Sequence, residues 1–219
     1  MSSIKCHTRY RLKNGTVVPS VTTLIDSCLG FNKRVLIAWA RRKALEGLDP
    51  DAILKETGDE GTCSHLLIAA YLEGGTANVG DFSANQVKAG GWALQSFKSW
   101  HASNPFEVVK LEYPVVSESL KYGGCIDIIG KVDGKLALVD IKTSKGIWPE
   151  MIVQIAAYGA AYESQEGEKI ENYHLLQLSK SGISFQHFKI SPEKIETAFA
   201  VFKHCRELYD LQKIMKGFI

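Results

Sequence analysis

Three side chains in one short stretch could share a cation and a water: Asp127, Asp140 and Lys142. They stand in two apolar, β-branched runs, Tyr122 to Val132 and Lys135 to Lys142, joined by Asp133-Gly134. Asp-Gly between such runs is the strongest short-range signal for a two-residue hairpin, because both turn residues need positive φ. Val132 then faces Lys135, and the same register sets Asp127 opposite Asp140, with Cβ atoms roughly 5 Å apart. Lys142 lies two residues past Asp140 and shares its face, as do Ile129 and Leu138. Like charges facing each other across a ladder are destabilising. A divalent cation relieves that repulsion, since hard cations take carboxylate oxygens. A lysine beside the ion and a water suits phosphodiester hydrolysis, where it orients or deprotonates the water and offsets charge in the transition state. The competing reading is an edge hairpin whose carboxylates fan into water.

Positioning such a site takes a sheet with helices around it. Five strands are expected, at 106–117, 124–132, 135–143, 172–179 and 183–190, the last two joined by Lys180-Ser181-Gly182. Helices are expected from Pro19-Ser20 to Gly30, 32–45, 50–56, 59–71, 83–103 and 149–162, with a last one beginning at Ser191-Pro192. Tyr10 to Val18 reads as a small hairpin about Asn14-Gly15. In the second helix Val35, Leu36, Trp39 and Ala40 are assigned inward, and in the last Ile195, Phe199, Phe202 and Leu208 share a face. Gly90-Gly91 weakens the long helix or admits another backbone. The class is mixed α/β (α+β): a central mixed sheet of about 4–5 strands flanked by helices. Residues 1–81 form a hairpin and helical extension packed on a core of residues 82–219.

Composition describes an ordinary soluble globule, 45% hydrophobic and 23% charged. No apolar run approaches the roughly 20 residues that span a bilayer, and Met1 to Asn14 lack the apolar core of a signal peptide. A cytoplasmic protein of a bacterial or phage-infected cell is expected. The five cysteines, at 6, 28, 63, 125 and 205, are odd in number and form no Cys-x-x-Cys pair. That argues against a disulfide framework, a zinc ribbon or an iron–sulfur cluster. Net charge is +2, yet residues 1–48 hold nine Lys or Arg against two acids, +7, leaving −5 for the rest. A basic end on a mildly acidic body suggests contact with a polyanion. A solvated helix face is the plainer alternative.

The motifs resemble the PD-(D/E)XK nuclease superfamily, in particular its RecB-like exonuclease branch. The resemblance rests on Gly61-Thr-x-x-His65 on an upstream helix and Gly124-Cys-Ile-Asp127 on a strand. It rests further on Asp140-Ile-Lys142-Thr143, and on Gln154 with Tyr158 on the helix that follows. Glu112 falls where many members carry an acid on the first strand. Pro19-Ser-Val-Thr is similar to the opening of mitochondrial genome maintenance exonucleases and related phage exonucleases. The motifs cover about residues 61–158.

The resemblance implies a restriction-endonuclease-like core and a site for Mg²⁺ or Mn²⁺. Asp127 and Asp140 would hold the ion with the Ile141 carbonyl and His65, and Glu112 would bind a second ion or a water. Lys142 would activate the water, with Gln154 and Tyr158 contacting the lysine or the DNA backbone. Arg34, Arg41, Arg42 and Lys43, with Thr143 and Ser144, would contact nucleic acid. His65 and Tyr158 also have purely structural readings, as does Glu112. The tight C-terminal cysteine group of cluster-bearing members is missing, so no iron–sulfur cluster is expected, and neither is a membrane association. Helicase motifs are missing too, so a helicase, recombinase or single-strand-binding protein would be a separate partner. The resulting expectation is a metal-dependent DNA exonuclease of replication, recombination or repair, acting on single strands or free ends. The alternatives are a structure-specific endonuclease of the same fold and an inactive DNA-binding module.

Overall fold

The computed structural model describes residues 9–31, 33–132 and 134–218. Asp133 of the expected turn, Asn32 at the start of the second expected helix, and Lys5 and Cys6 lie outside the described residues.

Chain order is α1 (Val21–Cys28), α2 (Lys33–Leu45), α3 (Pro50–Leu72), α4 (Ala84–Ser103), β1 (Glu107–Ser117), β2 (Tyr122–Val132), β3 (Lys135–Lys142), α5 (Pro149–Glu166), β4 (Asn172–Leu178), β5 (Phe185–Ile190) and α6 (Pro192–Lys216). The five strands form one mixed sheet in sequence order. All neighbours are antiparallel except β3 and β4, which are parallel and linked through α5. A parallel pair needs such a crossover, because a tight turn can only reverse the chain.

Two apolar layers sandwich the sheet. On one face Ile126, Ile129, Leu136 and Leu138 pack with α1, α5 and α6. On the other Ile128, Val139, Ile141 and Leu176 pack with Ile68 of α3 and Phe97 and Trp100 of α4. Small residues let α5 lie close: Gly159 has the Tyr173 ring against its Cα, where a Cβ would not fit. Gly90 does the same for α4 against Cys63 of α3, which is the close approach that Gly90-Gly91 allowed. The segment before α1 joins in as well. Arg11 bridges to Val17 around Gly15 at φ 84, Tyr10 lies over Gly123, and Ser20 bridges to Gly123.

Three local expectations need correction. Residues 50–72 are one helix of 23 residues, not two. Asp49 caps it, and Gly58 and Gly61 stay inside it; glycine costs only about 1 kcal/mol in a helix interior, which packing on α4 outweighs. In α2 no residue is fully buried, and Val35 and Leu36 are exposed while Trp39 and Ala40 are half-buried. Leu208 of α6 is also exposed, because the contacts of that helix with α1 and α5 cover only Ile195, Ala198, Phe202 and Cys205 completely. Among the described residues no helix is long and apolar enough to cross a membrane.

Candidate active site

The hairpin turn holds the expected register. Val132 pairs with Lys135, and pairing continues to Ile128 with Val139. The ladder stops there, one pair short of Asp127 and Asp140. In its place the Ile141 N–H donates to Asp127 Oδ2 at 2.7 Å, so a side-chain carboxylate stands in for a backbone acceptor.

The reason for the break lies on the other side of β2. Leu111 pairs with Ile128 and Tyr113 with Ile126, but Glu112 and Asp127 between them do not pair. Ile128 and Leu111 belong to the α3–α4 layer, whereas Ile126 and Tyr113 belong to the α5 layer. Residues two apart on a strand should share a face. Here both strands reverse sidedness together, at Glu112 and Asp127, with no residue inserted. Glu112 accommodates the twist with φ 45, a left-handed conformation that costs a non-glycine residue about 1–2 kcal/mol. The face shared by Asp127 and Ile129 in a regular hairpin is therefore lost: Asp127 turns toward α3, while Asp140 stays on the α5 side with Leu138.

Asp127 thereby meets His65, whose Nδ1 is 3.4 Å from Asp127 Oδ1 and 3.8 Å from Glu112 Oε1. Ligand atoms of His65, Glu112 and Asp127 all lie within 4.8 Å of one another. Ile141 lines the same pocket. Burial opposes protonation of His65, but Asp127 and then Glu112 outweigh it and raise the imidazole to about 10. Burial likewise opposes the Asp127 charge, yet His65, Lys142 and the Ile141 N–H hold its carboxyl below the usual range. The imidazolium is the positive charge that lets two acids sit together.

Asp140 faces a second group. Its Oδ2 is paired with Lys142 Nζ at 2.7 Å. Burial pushes the Asp140 carboxyl up to about 6, with Lys142 opposing and Asp127 adding to the rise. Lys142 Nζ donates to Gln154 Oε1 at 2.9 Å, and Gln154 Nε2 donates to the Tyr158 hydroxyl at 2.8 Å. The i, i+4 spacing of Gln154 and Tyr158 thus builds a relay along one face of α5. Burial, and then the nearby Asp140 charge, raise the Tyr158 phenol well above its ordinary value, so it stays neutral. Gly124 is what admits this ring: a Cβ there would lie 2.3 Å from Tyr158 Cε1.

The remaining sequence candidates divide. Thr143 lies against Gly61 of α3. The Ser144 hydroxyl donates to the Gly146 carbonyl at 2.7 Å, and the Ser144 carbonyl accepts from Gln177 Nε2 at 2.9 Å. Arg34, Arg41 and Arg42 are exposed on α2, and Lys43 is half-buried and paired with Glu46 at 2.6 Å. Sequence reasoning missed Gln177, which faces Lys142 across the β3–β4 ladder and ties down the loop after it. No spacing rule signals a residue 35 positions downstream.

The residues present fit a divalent cation. A mixed oxygen and imidazole set converges at His65, Glu112 and Asp127. Such sets suit Mg²⁺ or Mn²⁺.

No family model matches the chain, and no curated protein matches it. Among solved structures it is similar to a putative exonuclease from Eubacterium rectale, at 10% identity and TM-score 0.44, over 84% of this chain and 68% of that one. It is also similar to the protein SSO0001, at 18% identity and TM-score 0.33, over 52% of this chain and 55% of that one. Both scores are low, and neither likeness bears on the chemistry.

Proposed function

We propose that the chain is a metal-dependent nuclease that hydrolyses DNA phosphodiesters from free ends. The observation that carries the reading is the joint at β2 and β3. There a carboxylate and imidazole cluster meets a lysine held by Asp140 and Gln154, and Asp140 feels the charges of Lys142, Asp127 and His65.

The chain's own residues have separable tasks. Asp127, Glu112 and His65, with Asp140 and the Ile141 carbonyl, would hold Mg²⁺ or Mn²⁺. Such an ion supplies Lewis acidity at a phosphoryl oxygen. Asp140 and Gln154 fix the Lys142 ammonium, so its charge is already aimed when a dianionic phosphorane develops, which costs no reorganisation. Lys142 also orients the attacking water by hydrogen bonding. Tyr158 holds the Gln154 amide, so that its carbonyl oxygen rather than its NH₂ group meets the lysine. Preference for ends over internal bonds is supported by the motif resemblance to exonucleases, and DNA as substrate by the cationic α2. Cytoplasmic action beside a separate helicase or recombinase belongs to the same proposal.

The test is digestion of linear single strands, duplexes and closed circles with Mg²⁺, Mn²⁺ or EDTA. Ion-dependent loss of linear DNA, spared circles and no activity in Lys142→Met are expected. Cleaved circles would indicate an endonuclease, and wild type equal to Lys142→Met would remove the catalytic assignment.

A further inference from the structure

The loop between Lys142 and α5 ends in Trp148, whose indole breaks two local rules. It occupies the N-cap of α5 without a side-chain cap bond, where Ser, Thr, Asp or Asn would satisfy an exposed N–H. It also leaves a large aromatic surface in water, at 43% exposure, although Met151 and Ile152 beside it pack against the core. Sequences tend to break local rules where function needs it.

The loop that carries the ring is nevertheless tied down. The ring's six-membered edge lies over Gly146, where a Cβ would meet Cζ2 at 3.7 Å, in ordinary contact. The Gly146 carbonyl accepts from Ser144 Oγ, the Ser144 carbonyl from Gln177 Nε2, and the Trp148 backbone N–H donates to Met151 Sδ at 3.4 Å. Lys145, exposed in the same loop, supplies positive charge. A half-bare indole in a tied-down loop that also carries a cation, six residues along the chain from Lys142, is a platform for an unpaired base. Stacking is open to every base but closed to bases inside a duplex.

We infer that Trp148, with Lys145, is a base-stacking subsite for single-stranded DNA next to the cleavage position. The inference rests on the nuclease reading and gives it a substrate form: an unpaired strand end.

Anisotropy of labelled single strands in EDTA measures the subsite without turnover. Trp148→Ala is expected to weaken single-strand binding about ten- to a hundredfold, and Trp148→Tyr to stay within a few-fold of wild type. Trp148→Ser should lose binding equally while melting higher, since it restores a cap, so misfolding cannot explain that loss. Oligonucleotides with one abasic residue, scanned along the strand, should reproduce the loss in wild type at one position and add nothing in Trp148→Ala. Hydrolysis of a small phosphodiester without a nucleobase should keep its rate in all three variants. Unchanged single-strand binding in Trp148→Ala, or equal losses for single strands and blunt duplexes, would overturn the subsite and leave the nuclease reading standing. Wild type that neither binds DNA nor cleaves the small diester would overturn that reading instead.

Discussion

Asp140 is a carboxylate that the fold would hold more cheaply as an amide. Its carboxyl rises from 3.8 to about 6 because burial outweighs the pull of Lys142. A raised acid binds its proton more tightly folded than unfolded. Stability therefore falls as pH climbs through the window between those two values and stays lower above it. A rise of about two units, at 1.36 kcal/mol each, is on the order of 3 kcal/mol. The side chain is only 2% exposed, so solvent screening does not reduce this much. Asp140→Asn keeps an acceptor beside Lys142 and removes the titration. Urea denaturation in EDTA should find the variant about 2–3 kcal/mol more stable than wild type near pH 8, with the advantage gone near pH 4. The same variant should lose nuclease activity at every pH. Such a trade of stability for function is common where a site keeps a charge buried. A variant no more stable than wild type near pH 8, or a difference that ignores pH, would refute the assignment of Asp140 as a carboxylate that the fold strains to bury.

Gly124→Ala should cost about 1–3 kcal/mol in stability and most of the activity, since its methyl displaces Tyr158 and with it Gln154 and Lys142; melting and digestion assays check this together. His65, raised to about 10 by Asp127 and Glu112 against burial, must shed a proton to ligate a cation. Apparent Mn²⁺ affinity should therefore rise between about pH 6 and about pH 9. Calorimetry in buffers of different ionisation enthalpy should show proton release that His65→Asn abolishes; equal heats in both buffers would count against ligation by His65. In the metal-free protein the same shift stabilises fully below the unfolded value near 6.5 and is lost as pH rises through about 10. Arg41→Ala with Arg42→Ala should weaken single-strand binding and reduce the salt slope by about 1.4, at about 0.7 per phosphate contact; an unchanged slope would remove α2 from the interface. Gly58→Ala should raise stability by about 0.5–1 kcal/mol, because the helix interior there is open and a Cβ meets nothing within 4 Å; denaturant midpoints decide it.

Much of the fold was written in local pattern. The Asp-Gly turn set the β2–β3 register through Val132 and Lys135, alternation placed the strands, and the helix expected over 83–103 stands as α4. Gln154 and Tyr158 were singled out by the family resemblance, and helical periodicity added only that the two share a face. Residues 50–72 were misread as two helices because glycine weighs heavily in a local reading, whereas packing on α4 acts between segments.

What the sequence by itself determined was therefore the inventory: which acids, which lysine, which turn, and which helix face carries the amide and phenol. Tertiary structure alone decided how the acids divide. The joint twist at Glu112 and Asp127 sends one carboxylate to His65 of α3 and leaves Asp140 with Lys142. That twist depends on three strands and on helices from both layers. Its energy comes from contacts between residues far apart in the chain, which no spacing along one strand records.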